Sequence, residues 1–299
     1  TDQHRADFLG CNGHPVLKTP NIDAIASGGT VWDRFYVASP VCMPNRASFM
    51  TCRMPSSHGV RANGIPLDKR NVTFVELLRV AGYKTALIGK SHLQTFSGKP
   101  PMLDAPHTRS GYHRASGALS QAVRHDLETY LAEDPGRLSY DTPLPFYGFD
   151  HVELVTRHGD GCGGNYREWL LERDPDADRL LGTANQLPHD YVCPQAVRSA
   201  LPEELYTTSY IAERASAWLA ENADDEQPFF LMVSFPDPHH PFNPPGRYWD
   251  MYDPADMPLP AVFEMNDWNP PPHEASVLDD REAGRAATGS LAVLGVNAQ

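Results

Sequence analysis

A cysteine and an arginine four positions apart form the most specific chemical pattern in this sequence. They bound the segment Cys42-Met43-Pro44-Asn45-Arg46, which follows a Ser-Pro turn and precedes helix-forming residues. This context predicts that Cys42 lies at a helix N-terminus, where backbone N–H groups and the helix dipole stabilise a developing anion. Arg46 is then one turn later on the same helix face. A buried structural cysteine beside a surface arginine is the ordinary alternative, so the neighbouring residues must decide between the two.

Ionisable residues also follow two predicted strands at the point where each strand ends. Lys90 and His92 come just after the short strand Lys84–Ile88, and His239 follows the apolar strand Phe229–Phe235. Residues two apart point the same way, and parallel strands end at one edge of a sheet. The three side chains are therefore predicted to meet at that edge.

The first residues of the chain offer oxygen ligands for a metal ion. Asp2 and Gln3 stand side by side, one with a carboxylate and the other with an amide oxygen. Oxygen donors of this kind suit a hard divalent cation. A lone aspartate near a chain start is more often a solvated acid. The interpretation of Asp2 and Gln3 as metal ligands therefore depends on the other residues of the predicted site.

The elements that would position these residues alternate between helix and strand. Thr19-Pro20 predicts the start of a helix that Gly28-Gly29 ends, and Thr73 with Glu76 predicts a capping box. Strands are predicted at Val31–Val37, at Lys84–Ile88 and, in the middle of a sheet, at Phe229–Phe235, and further helices at Gln121–Ala132, at Arg167–Glu172 and from Pro202 to Leu219. The alternation predicts an α/β fold with a large, mostly parallel sheet flanked by helices. We interpret residues 1–299 as one incomplete catalytic domain, in which residues 100–200 are active-site insertions.

Composition narrows the classes of function. The 299 residues carry a net charge of −13 without a compensating basic run, which disfavours nucleic acid as a partner. No apolar run reaches the roughly 18 residues of a membrane span. The five cysteines include no CxxC pair, which argues against a zinc ribbon or a disulfide framework and favours a cytoplasmic location. Because the sequence begins at Thr1 without a Met, a periplasmic or secreted location stays open.

Four segments together resemble the sulfatase family. Cys42 to Arg46 is similar to its signature Cys-x-Pro-x-Arg, and Gly82–Leu93 looks like its second signature, which usually ends in Gly-Lys-Trp-His-Leu. Lys18–Asp23 matches its Thr-Pro-Asn-Ile-Asp segment, and Phe235–Phe242 is similar to its later His-x-Pro segment. The segments occur in the family's order over nearly the whole chain. The resemblance implies the sandwich fold of the alkaline phosphatase superfamily.

The resemblance also implies a reaction, the hydrolysis of a sulfate monoester of a small molecule. In the family the signature cysteine is oxidised to formylglycine, so Cys42 would carry this modification and a maturation enzyme would be a partner. One oxygen of the aldehyde hydrate attacks sulfur, and the other later expels sulfate as the aldehyde re-forms. A divalent cation lowers the pKa of the hydrate, so that a nucleophile exists near neutral pH.

Roles for the substrate-binding and catalytic residues follow from the same resemblance. Lys90 neutralises sulfate oxygens, and His92 helps to hold the nucleophile or the sulfate. His239 contacts the sulfate and is the candidate for protonating the leaving group. Arg46 completes the catalytic set. His240 is a weaker candidate than His239, because the family places its histidine two residues before the proline.

The metal ligands implied by the resemblance are Asp2, Gln3 and the modified Cys42. Many relatives have two aspartates where Asp2-Gln3 stands, and the glutamine lowers the negative charge of the site. Calcium is the usual ion of sulfatases, whereas manganese occurs in the related phosphonate monoester hydrolases, some of which carry Asp-Gln. Ca²⁺ is therefore the first expectation and Mn²⁺ the second.

The sequence departs from the family pattern in three ways. Cys52 stands where the family has a glycine, which predicts local backbone strain. The family's later pair of metal ligands and its second catalytic lysine are not found. The segment Arg157-His158-Gly159-Asp160 lies too early in the chain to match that pair, and Asp279-Asp280 lacks a strand before it. We therefore expect a fragment that lacks the C-terminal part. If other residues take the place of the pair, Asp160 and Asp280 are the first suspects.

Three functions stay open at this point. The leading one is a formylglycine sulfatase, and the second is a phosphonate monoester or phosphodiester hydrolase of the same superfamily. Those hydrolases usually have uncharged hydroxyl-bearing residues in place of the Lys90/His92 pair, which favours sulfate. The third is a non-catalytic fragment that binds anions between Arg46 and Lys90.

Overall fold

The computed structural model describes residues 1–94, 144–191, 193 and 195–259. Within these ranges the helices are α1 (Pro20–Ser27), α2 (Cys42–Thr51), α3 (Pro55–His58), α4 (Phe74–Val80), α5 (Asn165–Arg173) and α6 (Thr207–Glu221). The strands are β1 (Lys84–Gly89), β2 (His151–Thr156), β3 (Gly163–Gly164) and β4 (Phe229–Ser234). The helix predicted at Gln121–Ala132 lies outside the described residues. None of the described helices has the length and apolar character needed to cross a membrane.

The four strands form one sheet in the order β3-β2-β1-β4. β1 runs parallel to β2, with Leu87 opposite Val152, and parallel to β4, with Gly89 opposite Ser234. The short β3 pairs antiparallel with the end of β2. Every residue of β1 after Lys84 is buried, as expected for a parallel strand covered on both faces. The predicted α/β fold with a mostly parallel sheet is confirmed.

Helices cover both faces of the sheet because successive residues of β1 point to opposite sides. Leu87 belongs to a core cluster with residues of α2 and α4, whereas Ile88 belongs to a second cluster with residues of α5 and α6. The helical contributions are Met43, Ala47, Met50 and Val75 to the first cluster, and Tyr166, Trp169, Leu170, Tyr210 and Ile211 to the second. Burial of apolar area stabilises the fold by about 25 cal/mol per Å², so these two clusters hold the layers together.

Several local predictions are confirmed. Pro20 is the first residue of α1, and the capping box of α4 is complete, with bonds of 2.9 Å from Thr73 N to Glu76 Oε2 and 3.2 Å from Glu76 N to Thr73 Oγ1. The strain predicted at Cys52 is also present. This residue ends α2 in the left-handed conformation, at φ 54° and ψ 33°, where a glycine would be relaxed.

The strand predicted at Val31–Val37 is wrong for the described structure. These residues form turns and irregular backbone, and Trp32, Phe35 and Tyr36 are each more than two thirds exposed. Their β-branched and aromatic side chains favour a strand, but a strand also needs a neighbouring backbone to pair with. In the described sheet, which consists of β1 to β4, the segment pairs with no strand.

Three other interpretations need correction. The helix predicted from Pro202 begins at Thr207, because Tyr206 is extended and follows a separate 3-10 turn. β4 lies at an edge of the described sheet rather than in its middle, and most of its residues are only partly buried. The interpretation of residues 100–200 as insertions does not apply to β2 and α5, which build the sheet and the core.

Candidate active site

Three parallel strands end at one edge of the sheet, and a residue of the site follows each of them. Lys90 comes directly after β1, His158 two residues after β2 and His239 five residues after β4. Asp2 reaches the same edge because its backbone N–H donates to the carbonyl of Asp237 over 3.2 Å. Asp2 contacts Lys90, and the ring of His158 stacks on that of His239. The structure thus brings the residues together at the predicted edge.

Cys42 is the first residue of α2, as predicted. Val41 precedes it in the extended conformation that ends the loop, and Cys42 itself is half-buried. The first turn of the helix is fixed from outside, since Met43 N donates to Asn63 Oδ1 over 3.0 Å. The helix N-terminus therefore has a defined position beside the site, with its partial positive charge next to Cys42.

The Cys42 thiol is a poor nucleophile in this environment. Burial raises its pKa above the ordinary value and outweighs the opposing effect of the positive charges of Lys90 and Arg46. The thiol is therefore protonated at neutral pH, whereas attack requires the thiolate.

Arg46 connects α2 to the ends of two strands. Its Nη1 donates to the carbonyl of Lys90 over 2.8 Å and to Ser234 Oγ over 3.2 Å. Its Nη2 lies 3.2 Å from Asp2 Oδ1. One guanidinium thus links the end of β1, the end of β4 and the buried carboxylate, and it places a permanent positive charge at the sheet edge.

The side chain of Lys90 is completely buried, and its ammonium group donates to Asp2 Oδ2 and to Nε2 of His158. Burial lowers the pKa of Lys90, and the Asp2 carboxylate opposes this shift. Although burial by itself raises the pKa of Asp2, the contacts with His158, Lys90 and Arg46 hold it well below its usual range. Asp2 is therefore an ionised carboxylate, shared between two cationic side chains.

Gly89 allows the close strand approach that places Lys90. It has φ 114°, and a Cβ atom built on it would lie 2.0 Å from the carbonyl oxygen of Ser234. Lys90 N then donates to the same Ser234 oxygen over 2.9 Å. A side chain at position 89 would push β4 away from β1 directly before the lysine, so glycine is required there.

The histidines of the site are neutral. Burial lowers the pKa of His92 to about 2 and that of His239 to about 3. His239 Nδ1 lies 2.7 Å from the carbonyl oxygen of His240, so Nδ1 carries the proton and Nε2 is an acceptor. The weaker candidate, His240, instead bonds through Nδ1 to Gln3 Oε1 at 3.2 Å.

The donor atoms around Asp2 fit a divalent cation. A buried, ionised carboxylate is the ligand that hard cations prefer, and the next residue, Gln3, is exposed and offers an amide oxygen. A second arrangement is also present, because one ligand atom each of Asp2, His158 and His239 lie within 4.8 Å of one another. Asp160, a suspect for an additional ligand, instead accepts a hydrogen bond from Gly182 N over 2.9 Å. Asp280 lies outside the described residues.

Sequence reasoning missed His158, which lies at the centre of the site. The segment around it lies too early in the chain to match the family's later metal pair, so the resemblance gives His158 no role. The signal that identifies it is the one that identified Lys90: an ionisable residue just after a parallel strand. β2, with the sequence HVELVT, mixes charged and apolar residues, so it was not recognised as a strand of the sheet.

Fold and site together define the class. A mostly parallel sheet flanked by helices, with cationic side chains at its edge, agrees with the alkaline phosphatase-like fold of the chain's structural neighbours. Within the alkaline phosphatase superfamily the chain belongs to the sulfatase family, because the family model described as "Sulfatase" matches residues 1–262.

Individual relatives agree with this assignment. An arylsulfatase of Clostridium perfringens is 28% identical over 270 residues, which cover 89% of this chain and 47% of that enzyme. A multifunctional alkaline phosphatase superfamily protein of Trinickia caryophylli is 28% identical, with 89% and 46% covered. The crystal structure of the phosphonate monoester hydrolase of Agrobacterium radiobacter has a TM-score of 0.62 at 26% identity, with 93% and 46% covered. The chain spans about half the length of these relatives.

Proposed function

We propose that this site hydrolyses sulfate monoesters of small molecules. The observation that carries the proposal is the charge balance at the sheet edge, where Arg46 and Lys90 surround a single carboxylate, that of Asp2. The surplus positive charge lies beside Cys42 in a chain of the sulfatase family. A buried surplus of this kind stabilises the negative oxygens of a sulfate ester in the ground state and in the transition state.

The nucleophile in this proposal is Cys42 after its oxidation to formylglycine by a separate maturation enzyme. The segment Cys42-Met43-Pro44-Asn45-Arg46 supports the modification, because it is similar to the signature of the family whose model matches this chain. The hydrated aldehyde offers one oxygen to attack sulfur and a second to expel sulfate. The helix dipole of α2 favours the anion that forms at its first residue.

Asp2, Gln3 and the modified Cys42 would hold a divalent cation, with Ca²⁺ the first expectation and Mn²⁺ the second. When bound, the cation would lower the pKa of the aldehyde hydrate and offset the negative charge of the ionised hydrate. Arg46 keeps Asp2 ionised and oriented, because its Nη2 lies 3.2 Å from the carboxylate.

Proton transfer to the leaving alcohol falls to His239. Its Nε2 carries no proton before the substrate binds, because Nδ1 donates to a carbonyl and burial lowers the pKa to about 3. A sulfate anion next to the imidazole raises the pKa of His239, since a negative charge favours the protonated form. His239 therefore becomes an acid only in the complex. Lys90 and His92 hold the sulfate oxygens.

The second candidate is hydrolysis of a phosphonate monoester, which the likeness to the Agrobacterium radiobacter hydrolase supports. An aryl sulfate presents three terminal oxygens, whereas a phosphonate monoester presents two and a carbon substituent. A buried ammonium at position 90 is suited to a third oxygen and not to a carbon group, which favours the sulfate.

The complete natural polypeptide, purified with its maturation enzyme, should be assayed with para-nitrophenyl sulfate and with para-nitrophenyl phenylphosphonate. Both substrates release the same alcohol, so the comparison isolates the acidic group. We expect kcat/KM to be at least about tenfold higher for the sulfate, a difference of about 1.4 kcal/mol in transition-state binding. A higher value for the phosphonate would contradict the proposal and support the second candidate.

A further inference from the structure

His158 contacts Lys90 through its Nε2 atom. The ammonium group of Lys90 is a donor only, so Nε2 of His158 must accept, and the proton of the neutral imidazole must be on Nδ1. His158 Nε2 also lies 3.5 Å from Asp2 Oδ2. Lys90 is thus held between an acidic partner and a neutral one.

The two partners have different effects on the charge of Lys90. Asp2 neutralises part of it, and Asp2 is shared with Arg46 and with any cation that the carboxylate binds. His158 accepts a hydrogen bond without contributing a negative charge. It therefore holds the ammonium in place while leaving its charge available to an anion. An ammonium group has three N–H donors, and these two contacts leave one for a ligand.

His158 also touches the second group that the proposed reaction uses. Its ring is stacked on that of His239, with the ring centroids 3.5 Å apart and the planes 6° from parallel. The loop that carries His158 packs closely against neighbouring residues at Gly159. Gly159 has φ 58°, and a Cβ atom on it would lie 2.7 Å from Asn243 Oδ1 and 2.9 Å from Pro241 Cγ. His158 therefore has little freedom to move away from Lys90 and His239.

We propose that His158 is a positioning residue, which holds the charged end of Lys90 and the ring of His239 against the bound sulfate group. The proposal deepens the function proposed above and rests on it. The competing role is that of a metal ligand together with Asp2 and His239, whose ligand atoms lie near His158. The contact with Lys90 opposes that role, because the Nε2 lone pair of His158 that would bind a metal ion already accepts the hydrogen bond from the ammonium group.

Three substitutions of His158 in the complete natural polypeptide separate these roles. His158→Ala removes the acceptor, and we expect kcat/KM for para-nitrophenyl sulfate to fall about 10- to 100-fold, as for other residues that orient a reacting group. His158→Gln places an amide oxygen near the position of Nε2. We expect its kcat/KM for para-nitrophenyl sulfate to lie within about fivefold of the wild-type value. His158→Asn is too short to reach Lys90 and should behave like His158→Ala.

The matched control is His151→Ala, the same change at the first residue of β2, the strand that precedes His158. His151 contacts Glu153 instead of the site. We expect it to leave kcat/KM unchanged. Equal activity of wild type and His158→Ala would overturn the proposal. An equal loss in all three His158 variants, without rescue by Gln, would also overturn it and indicate a purely structural role.

Two calorimetric titrations complete the test. Inorganic sulfate should bind His158→Ala about tenfold or more weakly than wild type, whereas Mn²⁺ should bind both proteins equally, within about threefold. A loss of Mn²⁺ affinity with unchanged sulfate affinity would overturn the proposal and make His158 a metal ligand. If the wild type hydrolyses no sulfate ester, the proposed function fails, but the sulfate titration still decides the role of His158. Absence of sulfate binding by the wild type would count against both.

Discussion

Two buried ionic clusters in this molecule differ in their balance of charge. At the carboxyl edge of the sheet, Lys90 and Arg46 share the one carboxylate of Asp2. On β2, Glu153 is paired with the single cation Arg214, whose Nε and Nη2 donate to the two carboxylate oxygens over 2.7 and 2.8 Å. In the second cluster, which we call the closed cluster, the charges of Glu153 and Arg214 cancel. The first has a surplus positive charge.

The difference shows which cluster stabilises the fold and which is prepared for a ligand. Tyr210 OH also donates to Glu153, over 2.8 Å, and His151 Nε2 lies 3.3 Å from its Oε1 atom, so that the carboxylate is fully used by the two elements it joins, β2 and α6. Lys90 instead has a neutral partner in His158 and keeps a donor for a ligand. A buried surplus charge is costly in the free protein, and an anionic substrate relieves it. The predictions that follow test this contrast.

The largest effect should come from Cys42→Ala. It removes the proposed nucleophile, so we expect turnover of para-nitrophenyl sulfate to fall to the background rate. The measurement is kcat in the complete natural polypeptide. Cys11→Ala, the same change at an exposed cysteine, is the matched control and should retain full activity. Turnover by Cys42→Ala within tenfold of the control would remove Cys42 from the mechanism.

The cations of the two clusters should respond in opposite ways to replacement by methionine. Lys90→Met should lower kcat/KM about 100- to 1000-fold, the effect of losing one preorganised electrostatic contact. Its free energy of unfolding should not fall, because Asp2 keeps Arg46 and a buried charge is removed. Arg214→Met should lower the free energy of unfolding by about 1–2 kcal/mol, since the guanidinium is partly exposed, and leave kcat/KM unchanged.

Urea unfolding and steady-state kinetics on both variants give the comparison. If Lys90→Met lost stability while retaining activity, Lys90 would belong with Arg214 as a structural cation. If Arg214→Met lost activity without losing stability, the separation of the two clusters would be wrong.

Acid should weaken the closed cluster over a defined range of pH. Burial raises the pKa of Glu153, but the bonds from His151, Arg214 and Tyr210 outweigh this effect and lower the pKa from 4.5 to about 2. A carboxyl group with a lowered pKa in the folded state contributes stability above its unfolded pKa and loses it as the pH falls. The difference in free energy of unfolding between wild type and Glu153→Gln should therefore shrink from pH 4.5 towards pH 2. A difference independent of pH in this range would show that the Glu153 carboxylate is not specifically stabilised.

The smallest effect should be a gain in stability from Cys52→Gly at the end of α2. Cys52 is held at φ 54°, which costs about 1–2 kcal/mol for a residue with a side chain, against about 0.5–1 kcal/mol for the greater flexibility of glycine in the unfolded chain. We expect the free energy of unfolding to rise by about 0.5–1 kcal/mol on this balance. Cys11→Gly, which relieves no left-handed residue, should give no gain. A loss of stability in Cys52→Gly would mean that its side chain makes a compensating contact.

Local patterns in the sequence were enough to predict the α/β fold, the start of α2 at Cys42 and the edge of the sheet where Lys90 and His239 meet. These depend on periodicity, capping and the geometry of parallel strands, which short segments encode. The strand predicted at Val31–Val37 is wrong because a strand needs a pairing partner, which the composition of the segment does not specify. The role of His158 was missed for a related reason, since β2 becomes a strand through its pairing with β1. The sharing of Asp2 between Arg46 and Lys90 depends on contacts across more than 40 residues, which the sequence does not reveal.

The central claim is that the surplus charge at the sheet edge serves a formylglycine at position 42. Mass spectrometry of the peptide containing Cys42, from the complete natural polypeptide made with its maturation enzyme, tests this claim most directly. The account predicts that the peptide is about 18 Da lighter than the unmodified cysteine peptide, the change from a thiol to an aldehyde, while the Cys52 peptide is unchanged. An active preparation in which the Cys42 peptide has only its unmodified mass would contradict the account.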